Sequence, residues 1–425
     1  MKRSHLRTSF AGDMRENDYD AIVVGARCAG SPTAMLLARK GYKVLVVDRA
    51  RFPADTISTH LIHPPGVAAL NEWGLLDRLI ATGCPGIDTY VFDFGRFTVS
   101  GAPGTDESPL AYAPRRTVLD KLLVDAASEA GAEVRQGFTV AGVVIEEGRV
   151  TGIRGHRKGE PAVTEHAQVV VGADGHHSLV ARSVNPEQYN EKPPLQVSYY
   201  AYLSGMPMDG RYEVHLRPDR GFAAWATNDD LTVVIGGWPR SELAANRKDI
   251  EGNVLATLEL VPDFAARYRA GKRETRFVGQ SLAGFMRKPF GPGWALAGDA
   301  GYTKDFITAL GISDAFRDAE LCATGLDEAL SGNRPFEVAM ADYQAERDRR
   351  SLPFYEFTAQ LATLQFPPPE LEPVLAAVQS NQESMDEFTR VGGAVTSPAE
   401  FLSEQNVARL LAAAGAPSVA SRSRA

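Results

Sequence analysis

The stretch from Tyr19 to Asp48 limits the fold more than any other. An apolar run, Ala21-Ile22-Val23-Val24, stops at Gly25; Pro32 lies early in a helical segment that Gly41 closes; a second apolar run ends on Asp48. This reads as a strand, a helix and a parallel strand. In such a unit the turn after the first strand aims backbone N–H groups and the positive helix end at a pyrophosphate. The carboxylate ending the second strand can then take a ribose hydroxyl. Gly25 and Gly30 hold the first and third places of G-x-G-x-x-G, but Arg27 holds the second. Arg27 could oppose phosphate charge with its guanidinium, although its Cβ crowds the approach that glycine permits. A unit that binds nothing would share this pattern, and Asp48 at the expected distance favours binding.

With 425 residues, 44% of them hydrophobic, the chain can bury a large core and form two domains plus an extension. The net charge of −8 argues against a general nucleic-acid binder, so anionic ligands must be held by local cations. Arg27, Arg49, Arg51, Arg115 and Arg116 are the candidates. Cys28, Cys84 and Cys322 are widely spaced and odd in number, which fits a reducing cytoplasm and no metal site. No apolar run is long enough to span a membrane, and residues 1–16 read as a disordered tail.

Further along, His60 and His63 read as loop or packing histidines rather than ligands, since Pro64 and Pro65 follow directly. Leu119, Leu122, Leu123, Ala126 and Ala127 trace one buried helix face, with Arg115 and Arg116 at its start. Cations there oppose the helix dipole unless an anion is near. Val169-Val170-Val171 leads to Asp174-Gly175, a carboxylate and an unhindered turn at a strand end; His176 and His177 read as exposed loop residues. Residues 195–238 carry Tyr199, Tyr200, Tyr202, Tyr212, Phe222, Trp225 and Trp238 in short strands divided by turns, an antiparallel sheet whose rings are core or line an apolar pocket. Trp294 to Ala297 leads to Gly298-Asp299, and a loop ends at Gly311 before a helix bearing Ile312, Ala315, Phe316 and Ala319.

These three stretches, in this order, resemble the FAD-dependent monooxygenases of the para-hydroxybenzoate hydroxylase type and the related geranylgeranyl reductases. The resemblance implies an α/β fold: a Rossmann-like FAD-binding domain (17–90, 105–190 and 288–332), an inserted antiparallel-sheet substrate domain (91–104 and 191–287) and a helical C-terminal region (333–425). It also implies that Gly25, Arg27, Gly30, Asp48 and Arg49 hold the ADP half of FAD. Arg116 would lie along the cofactor, Asp174 and Gly175 near the pyrophosphate and the NAD(P)H route, and Asp299 at the ribitol. Gly311 and Ile312 would lie at the flavin, with Tyr200, Tyr202, Trp225 and Phe306 around the substrate. The implied partners are NAD(P)H, oxygen and an apolar or aromatic small molecule, with no side chain standing out as acid or base.

The chain departs from the hydroxylase pattern after Asp299. There Phe306 stands in the proline place and Ala309-Leu310-Gly311 in the Gly-x-Gly place. Arg182, after Val180-Ala181, follows the reductase form, and the tryptophan motif of flavin halogenases is absent. A reductase of carbon-carbon double bonds is therefore the second expectation, and a flavoprotein that only carries or senses a ligand the third.

Overall fold

The computed structural model describes residues 18–415, so the expected tail at 1–16 lies outside the described residues. The opening unit forms as read: β1 (Tyr19–Val24), α1 (Gly30–Arg39) and β2 (Val44–Asp48), with β1 and β2 parallel. Both strands are nearly continuous apolar runs because the sheet is covered on both faces. Val163–Gly172 runs parallel beside β1, Trp294–Leu296 runs parallel beside Val163–Gly172, and Glu133–Gln136 runs parallel beside β2.

One face of this sheet packs on α1, on the helix Arg116–Glu129 and on the helix Gly311–Leu330, through Ala34, Leu37, Leu119, Leu123, Phe316 and Leu326. The other face is closed by the antiparallel strands Phe138–Glu146 and Arg149–Arg157, through Phe138, Ile153, Val170 and Leu296. The charged tip Arg157 to Glu160 is exposed, as a solvated turn should be.

A second, eight-stranded sheet is built mainly from Gln196–Ser204, Leu231–Pro239, Arg220–Ala226 and Arg211–Arg217. The hairpin Thr89–Asp93 and Thr98–Gly101 joins its edge, with Thr89–Asp93 running parallel to Arg211–Arg217. Alternate side chains divide its two faces. Val197, Tyr199, Phe222, Val234 and Trp238 pack under the helices Ile250–Leu258 and Pro262–Ala270, while Tyr200, Tyr202, Tyr212, Ala223 and Trp225 face Leu61 and Ala309 of the first unit.

The helix Phe336–Leu361 lies along Gly311–Leu330. The helices between Glu372 and Ala413 cap the edge hairpin, with Val374, Val378, Phe401 and Leu410 closing over Val99. Among the described residues no helix is long and apolar enough to cross a membrane.

Candidate active site

Four strand ends meet at one edge of the parallel sheet. Val24 is level with Val47 on one side and Gly172 on the other, and Gly172 is level with Leu296. Gly25, Asp48, Asp174 and Asp299 therefore leave the sheet side by side, at the carboxyl edge where open α/β sheets bind ligands.

Each stretch is held in place locally. Gly25 has φ +101°, and a Cβ on it would lie 2.3 Å from the Ala173 carbonyl oxygen. A Cβ on Gly30 would lie 1.8 Å from the Gly25 oxygen, so the turn closes directly onto the start of α1. Asp48 accepts the N–H of Ala26 at 2.8 Å and of Ala50 at 2.7 Å, fixing its carboxylate beside that turn; Arg49 is exposed next to it.

Arg27 turns its guanidinium to Asp120 and stacks over Phe52, 5.4 Å from the ring centroid. The same fully buried Asp120 accepts Arg116 Nε at 3.0 Å and Nη2 at 2.8 Å, all on Oδ1. Arg115 parts from its neighbour: it lies over Tyr202, 5.1 Å from the centroid, and pairs with Asp229 at 3.1 Å. Asp174 accepts Ser178 Oγ at 2.5 Å and the Leu179 N–H at 2.6 Å, so its carboxylate braces the start of the short helix Leu179–Val184, which Ser178 caps. Gly175 follows in the same turn, His176 packs on Phe285 and His177 is exposed, so only His177 meets the expectation for the pair.

Asp299 keeps an open face, yet the walls around it desolvate its carboxyl and push it up to about 6, an effect the nearby Arg116 charge partly offsets. The helix Gly311–Leu330 starts with no side-chain cap; Gly311 is exposed, a Cβ there would meet nothing within 4 Å, and Ile312 is buried. Its first N–H groups thus border open space, where a helix start favours negative charge. Ala309, in the place of a glycine, takes the left-handed backbone with φ +53°.

Between this cleft and the inner face of the second sheet lies a pocket of about 480 Å³, part of it open to solvent. Tyr212, Val214, Trp225, Ile235 and Phe306 give it an apolar wall. Of the expected substrate residues, Trp225 and Phe306 line this pocket; Tyr200 and Tyr202 share the sheet face and pack against His60 instead. The Trp225 indole N–H is buried and finds no partner among the described residues.

Residues 18–358 match the model of the FAD-binding-domain family. The chain belongs to this family of FAD-dependent oxidoreductases. It is similar to the digeranylgeranylglycerophospholipid reductase of Methanocella arvoryzae, 25% identical over 341 residues that cover 78% of this chain and 83% of the relative. Among solved structures, the flavin-dependent brominase Bmp2 superposes with a TM-score of 0.77 at 17% identity, covering 93% of this chain and 98% of its own. PqsL, a probable FAD-dependent monooxygenase from Pseudomonas aeruginosa, does so with a TM-score of 0.68 at 21% identity, covering 89% and 99%. Both share the fold.

The cleft of this flavoprotein fits FAD. A turn with no room for a Cβ at Gly25 or Gly30, a carboxylate held by backbone N–H groups, a buried arginine and an uncapped helix start are the features it offers. Sequence reasoning missed Asp120, which orients both Arg27 and Arg116. The signal was there, since Asp120 lies four residues after Arg116 on the same helix and can pair with it. His60 and His63 are packing residues: His60 Nε2 lies 2.5 Å from the Tyr202 hydroxyl, and His63 bridges the Tyr90 hydroxyl at 2.8 Å and the Thr308 carbonyl at 3.0 Å. Burial pushes them down to about 3 and about 4, so both are neutral in the fold.

Asp305, absent from the sequence reading, is 9% exposed; burial pushes its carboxyl up to about 6 although Gln196 and the backbone N–H groups of Ile307 and Phe306 oppose the rise. An acid raised on folding binds more protons folded than unfolded, so its contribution to stability is full below the unfolded value near 4 and is lost as pH rises through 6. Asp305→Asn should therefore gain on the wild type between pH 4 and 7, by roughly 3 kcal/mol for a rise of this size. Urea unfolding of the two proteins across that range measures it, and parallel curves would contradict it.

Proposed function

We propose that this flavoprotein is a monooxygenase that takes electrons from NAD(P)H and uses oxygen to hydroxylate an apolar or aromatic small molecule. The observation that carries this reading is the ring-lined pocket that lies between the cofactor cleft and the second sheet. An apolar wall with few polar groups suits such a substrate. In this reading 17–90, 105–190 and 288–332 hold FAD, while 91–104 and 191–287 carry substrate.

Asp48 takes an adenosine ribose hydroxyl, and the Gly25 to Gly30 turn takes the pyrophosphate with Arg27 and Arg116 as countercharge. Arg49 flanks the adenosine end and Asp174-Gly175 shape the nucleotide route. Asp299 takes the ribitol, and Gly311 and Ile312 present the helix start to the flavin's electron-rich edge. Bound FAD supplies the electron transfer and the oxygen chemistry. Trp225 and Phe306 wall the substrate, with Tyr200 and Tyr202 behind His60.

The likeness to a digeranylgeranylglycerophospholipid reductase over most of the chain favours a second reading, reduction of a carbon-carbon double bond. Anaerobic mixing with NADH or NADPH, then with labelled oxygen and a panel of phenolic and polyketide compounds, separates the two. The first reading expects nucleotide to bleach the flavin and one labelled oxygen atom to enter the product. Product formed without oxygen, carrying two added hydrogens, supports the reductase; a flavin that neither nucleotide bleaches removes both.

A further inference from the structure

Besides the polar atoms carried by its tyrosine rings and by Trp225, the inner face of the second sheet offers polar side chains to the pocket at one place. Gln196 and Ser198 stand two residues apart on one strand, share that face, are 1% and 5% exposed, and both line the pocket. Buried polar side chains in an apolar wall cost stability unless partnered, so how these two are partnered shows what they offer.

The Gln196 amide is held in one orientation. Asp305 Oδ1 accepts Gln196 Nε2 at 2.5 Å and the Ile307 N–H at 2.9 Å, so the amide nitrogen is turned to the carboxylate. The amide oxygen is thereby turned to Ser198, whose hydroxyl donates to it at 3.3 Å. Oε1 and the Ser198 oxygen both keep lone pairs that no partner fills.

Glycine leaves space over these two oxygens. Gly237 is level with Ser198 on the next strand, and a Cβ on it would lie 2.7 Å from Gln196 Oε1 and 3.0 Å from Ser198 Oγ. Gly221 is level with Gly237 on the strand beyond, and both glycines line the pocket. The sheet is thus notched over a pair of acceptors. Among the described residues, no lysine or arginine lines this pocket.

We propose that this notch binds an O–H or N–H group of the substrate, which makes the substrate a neutral, largely apolar molecule of the phenol or aromatic-amine class rather than a carboxylate or phosphate. The proposal rests on reading the pocket as the substrate site. A methylated analogue would bury both acceptors without a donor, and sites built around a buried polar contact reject analogues that lack it strongly.

The test is a binding titration on the FAD-loaded full chain, read by flavin absorbance and fluorescence, with neither nucleotide nor turnover. The probes are 2-naphthol against 2-methoxynaphthalene, indole against 1-methylindole, and 2-naphthoate. The expected result is that the donor member of at least one pair binds tenfold or more tightly than its methylated partner, and that naphthoate binds weakest. Gln196→Met should bring that ratio within about twofold, and Ser198→Ala, the smaller change, should lower it several-fold. Equal binding within every pair, no binding by any probe, tightest binding by naphthoate, or a ratio that survives both substitutions overturns the notch. Discrimination that persists in a protein that never consumes oxygen removes the monooxygenase reading and leaves the notch standing.

Discussion

Gly25→Ala protein is expected to purify colourless, with bound FAD at least tenfold below wild type by the ratio of visible to ultraviolet absorbance. Two costs add at this one position. A non-glycine residue at φ +101° carries backbone strain of roughly 1–3 kcal/mol. A new Cβ would also sit 2.3 Å from the Ala173 oxygen, which is main chain and cannot swing aside. Ala173 is tied to the first strand by its own N–H, donated to the Val24 carbonyl at 2.8 Å, so relief requires the strand ends to part. That separation would widen the edge on which Asp48 and Asp299 are set. Excess FAD should raise the wild-type melting temperature through linkage and leave the variant's nearly unmoved. Yellow protein with normal FAD content would show that the turn is not where the cofactor binds.

The parts of this site that were legible in the sequence are those in which local chemistry and fold agree. Gly25, Asp48, Asp174 and Asp299 each follow an apolar strand, and a strand's end can be read from its own residues. The parallel register then brings the four together, a step that needs only the rule that ligands sit at the carboxyl edge. What stayed hidden depends on contacts between distant segments. Nothing near Gln196 announces that Asp305 will orient its amide, because the two lie 109 residues apart in the chain. Aromatic content marked the second sheet, but not which rings face the pocket: Trp225 does, whereas Tyr200 and Tyr202 pack on His60. Arg115 and Arg116 look alike in sequence, and only the helix start separates them, turning one towards Asp120 and the other over Tyr202. Phe306, where the hydroxylase pattern has proline, fills the pocket wall.

Asp120→Ala should destabilise the FAD-free protein by about 3–5 kcal/mol, the usual cost of removing one partner from a buried ion pair. Asp120 is fully buried and faces two guanidinium groups, with the Cys28 thiol 3.5 Å from its Oδ1. Two cations share one anion, so the cluster carries an excess positive charge at the cofactor turn, the charge an entering pyrophosphate would balance. Without Asp120, Arg116 at 10% side-chain exposure has little water to turn to, while Arg27 at 27% recovers part of its solvation. The loss should therefore come mainly through Arg116. With saturating FAD the deficit should shrink, because phosphate oxygens would supply some of the missing negative charge. Asp120→Asn, which keeps an acceptor oxygen but no charge, should fall between wild type and alanine. Urea unfolding with and without FAD measures all three proteins. An alanine variant as stable as wild type in the FAD-free state would mean that both guanidinium groups reach water unaided and that Asp120 does not organise the turn.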